Sequence, residues 1–369
     1  MAIFLTYGLF FNRIAQEFGQ SPASTSIVFG TFAVLYGLSS LFMGVLLDRF
    51  GPSKTILFGG SLMGTGLLLS SVANSLPVLV LTYGVIGGAG TGSMWPTTSY
   101  AVFDKFTAED VRNVTGMVSA GTAFGSLFFA PLEAFLISTI QWKATFAVLG
   151  ALVLVFAVIG ATGASGSTGK GGRVLHLASR KVRTKRFASL YTYYTLGNAF
   201  SRSLVMVFIV PMLESQGASI FVGSIALSMI GAGSIFGRFA AGLKWPSEEQ
   251  ISGVSFMIQG ISAFLLLYAK DFVTILILSL IFGVGYGGYI PEFALLIRKY
   301  FGINEYGAVF GLLLTSYALG AFAGPIFEGF SFEISGNFAI GFYVAAALSF
   351  LVGLHQVLSQ RTPLSAGKE

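Results

Sequence analysis

Long apolar stretches alternate with short polar, glycine-containing or proline-containing connections over the whole chain. Each stretch holds about 20 residues, enough for a helix to cross roughly 30 Å of hydrocarbon at about 1.5 Å per residue. The pattern predicts about twelve membrane-spanning helices of this length. They occupy residues 1–17, 22–47, 55–73, 77–103, 111–138, 142–163, 187–213, 219–243, 251–269, 272–297, 305–329 and 338–359. We therefore expect an all-α polytopic membrane protein.

The composition agrees with a membrane protein and argues against several kinds of site. Hydrophobic residues make up 54% of the 369 residues and charged residues only 10%, unlike a soluble domain. The lack of cysteine excludes disulfide bonds and thiolate metal sites. The histidines, His176 and His355, fall in a predicted loop and near the C-terminal end. An intramembrane enzyme is thus the least supported class, and we expect neither a metal nor a cofactor.

Basic residues concentrate in every second connection. With the N-terminus in the cytoplasm, all 21 Lys and Arg residues fall in predicted cytoplasmic segments except Arg13, Lys143, Arg202, Arg238 and Lys270. Cytoplasmic loops of membrane proteins carry such an excess. The distribution predicts a multi-pass protein of the cell membrane with both termini in the cytoplasm.

An internal repeat indicates two homologous halves. The spacing G-x-G-x-G-x-x-x-P occurs at Gly88 to Pro96 and again at Gly283 to Pro291, 195 positions later, and the same offset relates Glu133 to Glu328. A Gly/Ser-containing and then basic segment, 164–186, lies between the halves and is predicted to be a flexible cytoplasmic linker. We predict six-helix bundles at 1–163 and 187–369.

The first helix is expected to be short. With an offset of 198, Phe10 falls on Phe208 and Gly19 on Gly217, so Met1 corresponds to Ala199, well inside a helix predicted to begin near Phe187. The comparison predicts that about one to three turns are missing from the start of the first helix. A truncated chain or a misassigned start codon would explain this.

A charged loop follows the second predicted helix. It contains Gly44, Asp48, Arg49 and Gly51, with Gly51-Pro52 placed to turn the chain. This loop resembles the G-x-L-x-D-R-x-G-x-[RK] loop of the major facilitator superfamily and falls where that family has it. The resemblance covers essentially the whole chain and implies the major facilitator fold, with these four residues forming a gating loop. The second half lacks the D-R-x-G core at 242–249.

Arg238 lies within 224–242, a run that otherwise reads as a membrane helix. A guanidinium in hydrocarbon costs at least a few kcal/mol, so it needs a partner, a watery cavity or an anion. Residues 237–242 resemble the eighth-helix [AGC]-R-x-x-x-G pattern of the monocarboxylate transporters and oxalate/formate antiporters, which implies that Arg238 binds the substrate carboxylate. Its planar fork suits a carboxylate. The alternative is an arginine that reaches the inner interface or holds the helix end.

Residues at several other positions refine the expected substrate. Ser234 stands where the related carriers have Asp or Asn, and Leu313 stands where the oxalate carriers have a second cation. The resemblance therefore favours a monocarboxylate. Arg202, with Asn198 one turn before it, either supplies the second positive charge or pairs with Glu292. Glu292 is the candidate proton-coupling residue.

Tyrosines are expected either to line a substrate cavity or to pack within the bundle. The candidates are Tyr36, Tyr100, Tyr286, Tyr289 and Tyr317.

The combined expectation is a secondary active transporter of small organic anions, most simply monocarboxylates, by alternating access with proton symport or anion exchange. No G-x-x-x-x-G-K-[ST] loop is present, so direct ATP drive is not supported. The alternative is a carrier of a drug, sugar or nucleoside with Arg238 structural. We expect a monomer in contact with membrane lipids and no nucleic-acid partner.

Overall fold

The computed structural model describes residues 2–94, 97, 111–164, 184–240, 247–301 and 306–359. All regular elements in these ranges are helices, which confirms the predicted all-α class. By length and composition, 7 described segments are able to cross a membrane. Most of the linker predicted at 164–186 lies outside the described residues, so the division of the chain at that point stays a prediction.

The described N-terminal half contains six helices. Helix α1 is divided into Ala2–Leu5 and Gly8–Phe18. The stretch Pro22–Ser70 is divided at Gly51 into α2 and α3. Helix α4 covers Leu76–Thr91 and includes a π-helical part at Val80–Gly87. The stretch Val111–Gly163 is divided at Gln141 into α5 and α6.

The described C-terminal half also contains six helices. Helix α7 covers Lys185–Ser215 and is π-helical at Tyr193–Phe200. It is followed by α8 (Ile220–Ala240), α9 (Glu248–Leu266), α10 (Phe272–Phe301), α11 (Tyr306–Ser335) and α12 (Ala339–Ser359). The predicted spans have the same order, with boundaries moved by several residues.

Two backbone turns divide the long stretches. Gly51 has φ of 79°, in the left-handed region that glycine adopts without strain. The Thr55 hydroxyl donates to the Gly51 carbonyl at 2.9 Å, and Pro52 follows the turn. This confirms the predicted turn at Gly51-Pro52. Gln141, with φ of 66°, makes the corresponding break between α5 and α6.

The repeated glycines perform the same packing task in both halves. A Cβ on Gly90 of α4 would lie 2.5 Å from the Gly59 carbonyl oxygen of α3, and a Cβ on Gly285 of α10 would lie 2.7 Å from the Ser255 carbonyl oxygen of α9. Small residues thus let these backbones approach closely. The shared helix contact gives a structural reason for the repeat that the sequence shows.

The halves meet along helices from both bundles. The pair α2 and α11 packs closely, since a Cβ on Gly37 would lie 2.5 Å from the Ala318 Cβ. The pair α1 and α7 does the same at Gly8, whose added Cβ would lie 2.7 Å from the Val207 carbonyl oxygen. Large apolar side chains such as Phe42 and Ile334 point outward and are exposed, as expected for a lipid-facing surface. Arg202, Arg238 and Glu292 are buried inside this surface.

Candidate anion-binding site

Arg238 is enclosed within the protein. It lies near the described end of α8, its exposure is 2%, and its Cζ lies 5.7 Å from the centroid of the Tyr286 ring on α10. The ring face offers partial stabilisation to the cation. Ser234, one turn earlier on the same helix, is also fully buried. The guanidinium therefore does not reach water through the surface.

Arg202 is held by an aromatic cage formed by Phe4, Tyr286 and Tyr317. Its Cζ lies 5.9, 5.0 and 4.8 Å from the three ring centroids, respectively. Its Nη2 donates a hydrogen bond to the Tyr317 hydroxyl, whereas its Nε has no hydrogen-bond acceptor among the described residues. The side chain is 5% exposed. A buried cation with unused donors is suited to bind an anion.

Tyr286 connects the two arginines, because both guanidinium groups contact its ring. Arg202 lies on α7, Arg238 on α8 and Tyr286 on α10, so all three come from the C-terminal half. The two charges raise the local positive potential of one small region. The structure thereby brings together two residues that the sequence placed 36 positions apart.

The N-terminal half contributes aromatic rings to this region. Phe4 of α1 and Tyr36 of α2 pack together with 5.8 Å between their centroids. Tyr36 also meets Tyr317 of α11 edge to face at 5.6 Å. Phe4 was not predicted as a site residue, since one phenylalanine within an apolar helix carries no sequence signal. The two cations of this region therefore come from the C-terminal half, whereas its aromatic rings come from both halves.

Several other predicted site residues lie nearby. Asn198 is fully buried in the π-helical part of α7, and neither polar atom of its side chain has a hydrogen-bond partner in the described structure. The Tyr289 ring lies 6.4 Å from the Tyr286 ring and 5.3 Å from the Phe256 ring of α9, centroid to centroid. Tyr100 lies outside the described residues.

Two further positions bear on substrate choice and coupling. Leu313 is 0% exposed and lies one turn before Tyr317 on α11. Tyr317 in turn accepts a hydrogen bond from Arg202, so Leu313 lies one helical turn from a residue that contacts this cation. Glu292 is 0% exposed and directly follows Pro291 within α10.

The predicted gating loop is described in part. Gly44 lies in α2, and among the described atoms none would come within 4 Å of a Cβ there. Arg49 is exposed, and its Cζ lies 5.8 Å from the Phe50 ring centroid. Gly51 makes the turn given above. Asp48 is helical, and its side chain lies outside the described part.

The symmetry-related acids Glu133 and Glu328 are both 0% exposed. Glu328 lies seven residues before the end of α11 at Ser335, and its carboxyl abuts Gly341 of α12. The structure places both acids inside their helices, at positions related by the sequence repeat.

Comparisons with known proteins find similar sequences that are named as monocarboxylate transporters. The chain is 23% identical over 352 residues to monocarboxylate transporter 13 of Rattus norvegicus, covering 93% of this chain and 81% of that protein. It is 24% identical over 354 residues to monocarboxylate transporter 4 of Gallus gallus, covering 91% and 74%. It is 25% identical over 370 residues to monocarboxylate transporter 3 of Rattus norvegicus, covering 95% and 75%.

The fold is also found in a solved structure. The crystal structure of a bacterial homologue of the human lysosomal transporter Spinster, in an inward-facing and occupied conformation, superposes with a TM-score of 0.72 at 16% identity. The match covers 98% of this chain and 94% of that one. Residues 1–247 match the sequence profile described as Major Facilitator Superfamily. The chain is a transporter, and it belongs to the Major Facilitator Superfamily.

Proposed function

We propose that this protein is a secondary active transporter of small organic anions, most simply monocarboxylates, that works by alternating access of its two halves. The observation that carries the proposal is the burial of Arg238 beside a second buried arginine, with Tyr286 between them. Two enclosed guanidinium groups favour an anionic ligand over a neutral or cationic one. The relatives named as monocarboxylate transporters support the same substrate class.

Arg238 is assigned the substrate carboxylate, because its planar fork can donate two parallel hydrogen bonds to the two oxygens. Arg202 lies close enough to add positive potential to the same region. The remaining proposed lining residues are Ser234, Asn198, Tyr36, Tyr100, Tyr286, Tyr289 and Tyr317. Their hydroxyl and amide groups orient the anion, and their rings receive its short apolar end.

Transport of the organic anion is proposed to be coupled to the movement of a proton or of a counter-anion. Glu292 is the candidate proton-coupling residue because it is a fully buried carboxyl on α10, the helix that carries Tyr286. The loop containing Gly44, Asp48, Arg49 and Gly51 is proposed to gate the cytoplasmic side. The protein is proposed to act as a monomer in the cell membrane, among lipids, with both termini in the cytoplasm.

Counterflow in liposomes tests the function. Liposomes that contain the purified protein are loaded with one unlabelled solute. Labelled lactate, formate, oxalate, glucose or a lipophilic cation is then added outside. Uptake of the organic anions, without uptake of glucose or the cation, is expected. Uptake of glucose or the cation alone would contradict the proposal and support a carrier of another solute with Arg238 structural. Lys270→Gln, which removes an exposed cation from the connection between α9 and α10, serves as a control and should leave the profile unchanged.

A further inference from the structure

Glu133 of α5 is a carboxyl enclosed within the N-terminal half. Its side chain is 0% exposed, and neither oxygen makes an aligned hydrogen bond to a described residue. The Thr6 side chain of α1 lies next to this carboxyl. A carboxylate enclosed in a membrane bundle is costly unless a cation or a proton offsets its charge. Glu133 therefore needs a positive partner.

The described groups that act on Glu133 include no lysine or arginine side chain. The titratable groups among them are Tyr83 on α4 and the amino group of the chain. On the neighbouring helices, Arg13 of α1 and Lys143 of α6 form ion pairs with other residues, and Arg238 of α8 lies against a ring of the C-terminal half. The carboxyl is therefore placed to take up a proton.

Thr6 stands where α1 is interrupted. The helix is divided there into Ala2–Leu5 and Gly8–Phe18. At this break the backbone amide of Leu9 donates to the Thr6 carbonyl at 3.0 Å, which is the three-residue spacing of a tighter turn. Interrupted helices hold the coupling ions in other secondary transporters. The buried carboxyl of Glu133 thus meets α1 at the point where its backbone is least regular.

The short segment before the break reaches the candidate anion-binding site. Phe4 lies two residues before Thr6, and its ring centroid is 5.9 Å from the Cζ of Arg202. The same ring stacks on Phe29 of α2 with 5.1 Å between the centroids. A change in backbone direction at the break would therefore move the Phe4 ring relative to Arg202. This geometry connects Glu133 to a buried cation of the other half.

We propose that Glu133 is a second proton-binding residue of this transporter, in addition to Glu292, and that proton uptake there sets how Phe4 lies against Arg202. A carboxylate oxygen of Glu133 accepts a proton from water and returns it to water later in the cycle. Loss of the negative charge changes the contact with Thr6, and the break in α1 passes the change to Phe4. Glu133 acts through Phe4 and is a positioning residue. The inference rests on the proton-coupled form of the function proposed above.

Glu328 supplies a matched control. The sequence repeat relates it to Glu133, and it is also 0% exposed, with no aligned hydrogen bond to a described residue. Its carboxyl abuts Gly341 of α12, and α11 is helical throughout Tyr306–Ser335. Glu328→Gln therefore makes the same chemical change at equal burial, on a helix that is not interrupted.

The first experiment counts the protons taken up when lactate binds. Purified protein is titrated with lactate in a calorimeter, in buffers with different heats of ionisation, which gives the number of protons bound per anion. Because coupling between two sites is reciprocal, proton uptake linked to the anion also means that lactate binds more tightly as the pH falls. Glu133→Gln should lose much of the proton uptake and of this pH dependence, whereas Glu328→Gln should keep both.

Two further variants test the route from Glu133 to Arg202. Thr6→Val removes the hydroxyl beside the carboxyl, and Phe4→Leu removes the ring that faces Arg202. Each leaves the Glu133 carboxyl in place, and each should reduce the pH dependence of lactate affinity several-fold. Full proton uptake in Glu133→Gln, an equal loss in Glu328→Gln, or unchanged pH dependence in both route variants would overturn the proposal.

Carbodiimide labelling gives a readout that needs neither a solute nor a variant. A membrane-permeant carbodiimide adds to a protonated carboxyl and forms a stable N-acylurea, which mass spectrometry locates in the chain. Glu133 should be labelled, and its labelling rate should fall several-fold as the pH is raised. If the native protein does not bind lactate but Glu133 is labelled in this way, the substrate assignment is wrong and proton binding at Glu133 stands. Absence of labelling at Glu133 at acidic pH would overturn the proposal.

Discussion

Arg202 donates a hydrogen bond from Nη2 to the hydroxyl of Tyr317, and its Cζ lies 4.8 Å from the centroid of that same ring. The ring face stabilises the positive charge, and the hydroxyl fixes the direction of the guanidinium. One tyrosine therefore both offsets and orients this cation. The two contributions can be separated by a single substitution.

Tyr317→Phe is expected to keep the ring contact and remove the hydrogen bond. A buried donor left without its partner costs about 1–3 kcal/mol, so the variant should unfold at a lower temperature in detergent and bind the anion more weakly. Tyr36→Phe is the control for the stability measurement, since Tyr36 meets Tyr317 through its ring. An equal loss of stability in both variants would show that the Tyr317 hydroxyl has no special role.

Arg238→Lys is expected to fold and yet lose most transport. Lysine keeps the charge over Tyr286 but cannot offer the planar, bidentate fork that a carboxylate requires. Initial uptake rates in liposomes, normalised to folded protein, measure the effect. Transport at a near wild-type rate would remove Arg238 from carboxylate binding and support a structural role.

Glu292→Gln is expected to abolish proton-driven accumulation while leaving solute exchange intact, because glutamine keeps the size of the side chain and cannot carry the proton. Uptake under an imposed pH gradient and counterflow without one give the two readouts. Glu248→Gln, at the start of α9 and in contact with Lys299, is the control. Unchanged accumulation in Glu292→Gln would favour the alternative in which Glu292 pairs with Arg202.

Gly237→Ala tests the close packing of α8 against α10. Its Cβ would lie 2.2 Å from the Val284 carbonyl oxygen, so the backbones must separate. Overpacking of this kind costs about 1–3 kcal/mol, and thermal unfolding should show the loss. Gly121→Ala is the control, because no described atom lies within 4 Å of its added Cβ. Equal stability of the two variants would contradict tight packing at Gly237.

The sequence predicted the features that depend on local pattern. The lengths of the apolar stretches predicted the order of the helices, and Gly51-Pro52 predicted the turn between α2 and α3. The repeated glycines lie at close helix contacts. Each of these follows from a few neighbouring residues, because the cost of burying polar groups in lipid and the steric freedom of glycine act locally. The fold class followed from them directly.

Contacts between the halves could not be predicted in the same way. Asn12 and Glu214 are 202 positions apart, and Phe4 meets Arg202 only because α1 packs on α7. Such pairs depend on how two bundles dock, which helical periodicity does not encode. The π-helical part of α7 at Tyr193–Phe200 also changes which residues face the site, and no sequence signal marked it.

The final prediction concerns the charge of the substrate. Leu313, one turn before Tyr317, is fully buried and apolar, so the position used for a second cation in the oxalate carriers supplies none here. A dianion bound only to Arg238 would leave one carboxylate poorly compensated, a penalty of several kcal/mol in a low-dielectric cavity. Lactate- or acetate-like anions should therefore outcompete oxalate in uptake assays. Leu313→Lys should shift the preference toward oxalate. Arg202 provides the sharpest challenge: tighter binding of oxalate than of any monocarboxylate, lost in Arg202→Ala, would make Arg202 the second anchor and overturn the monocarboxylate assignment.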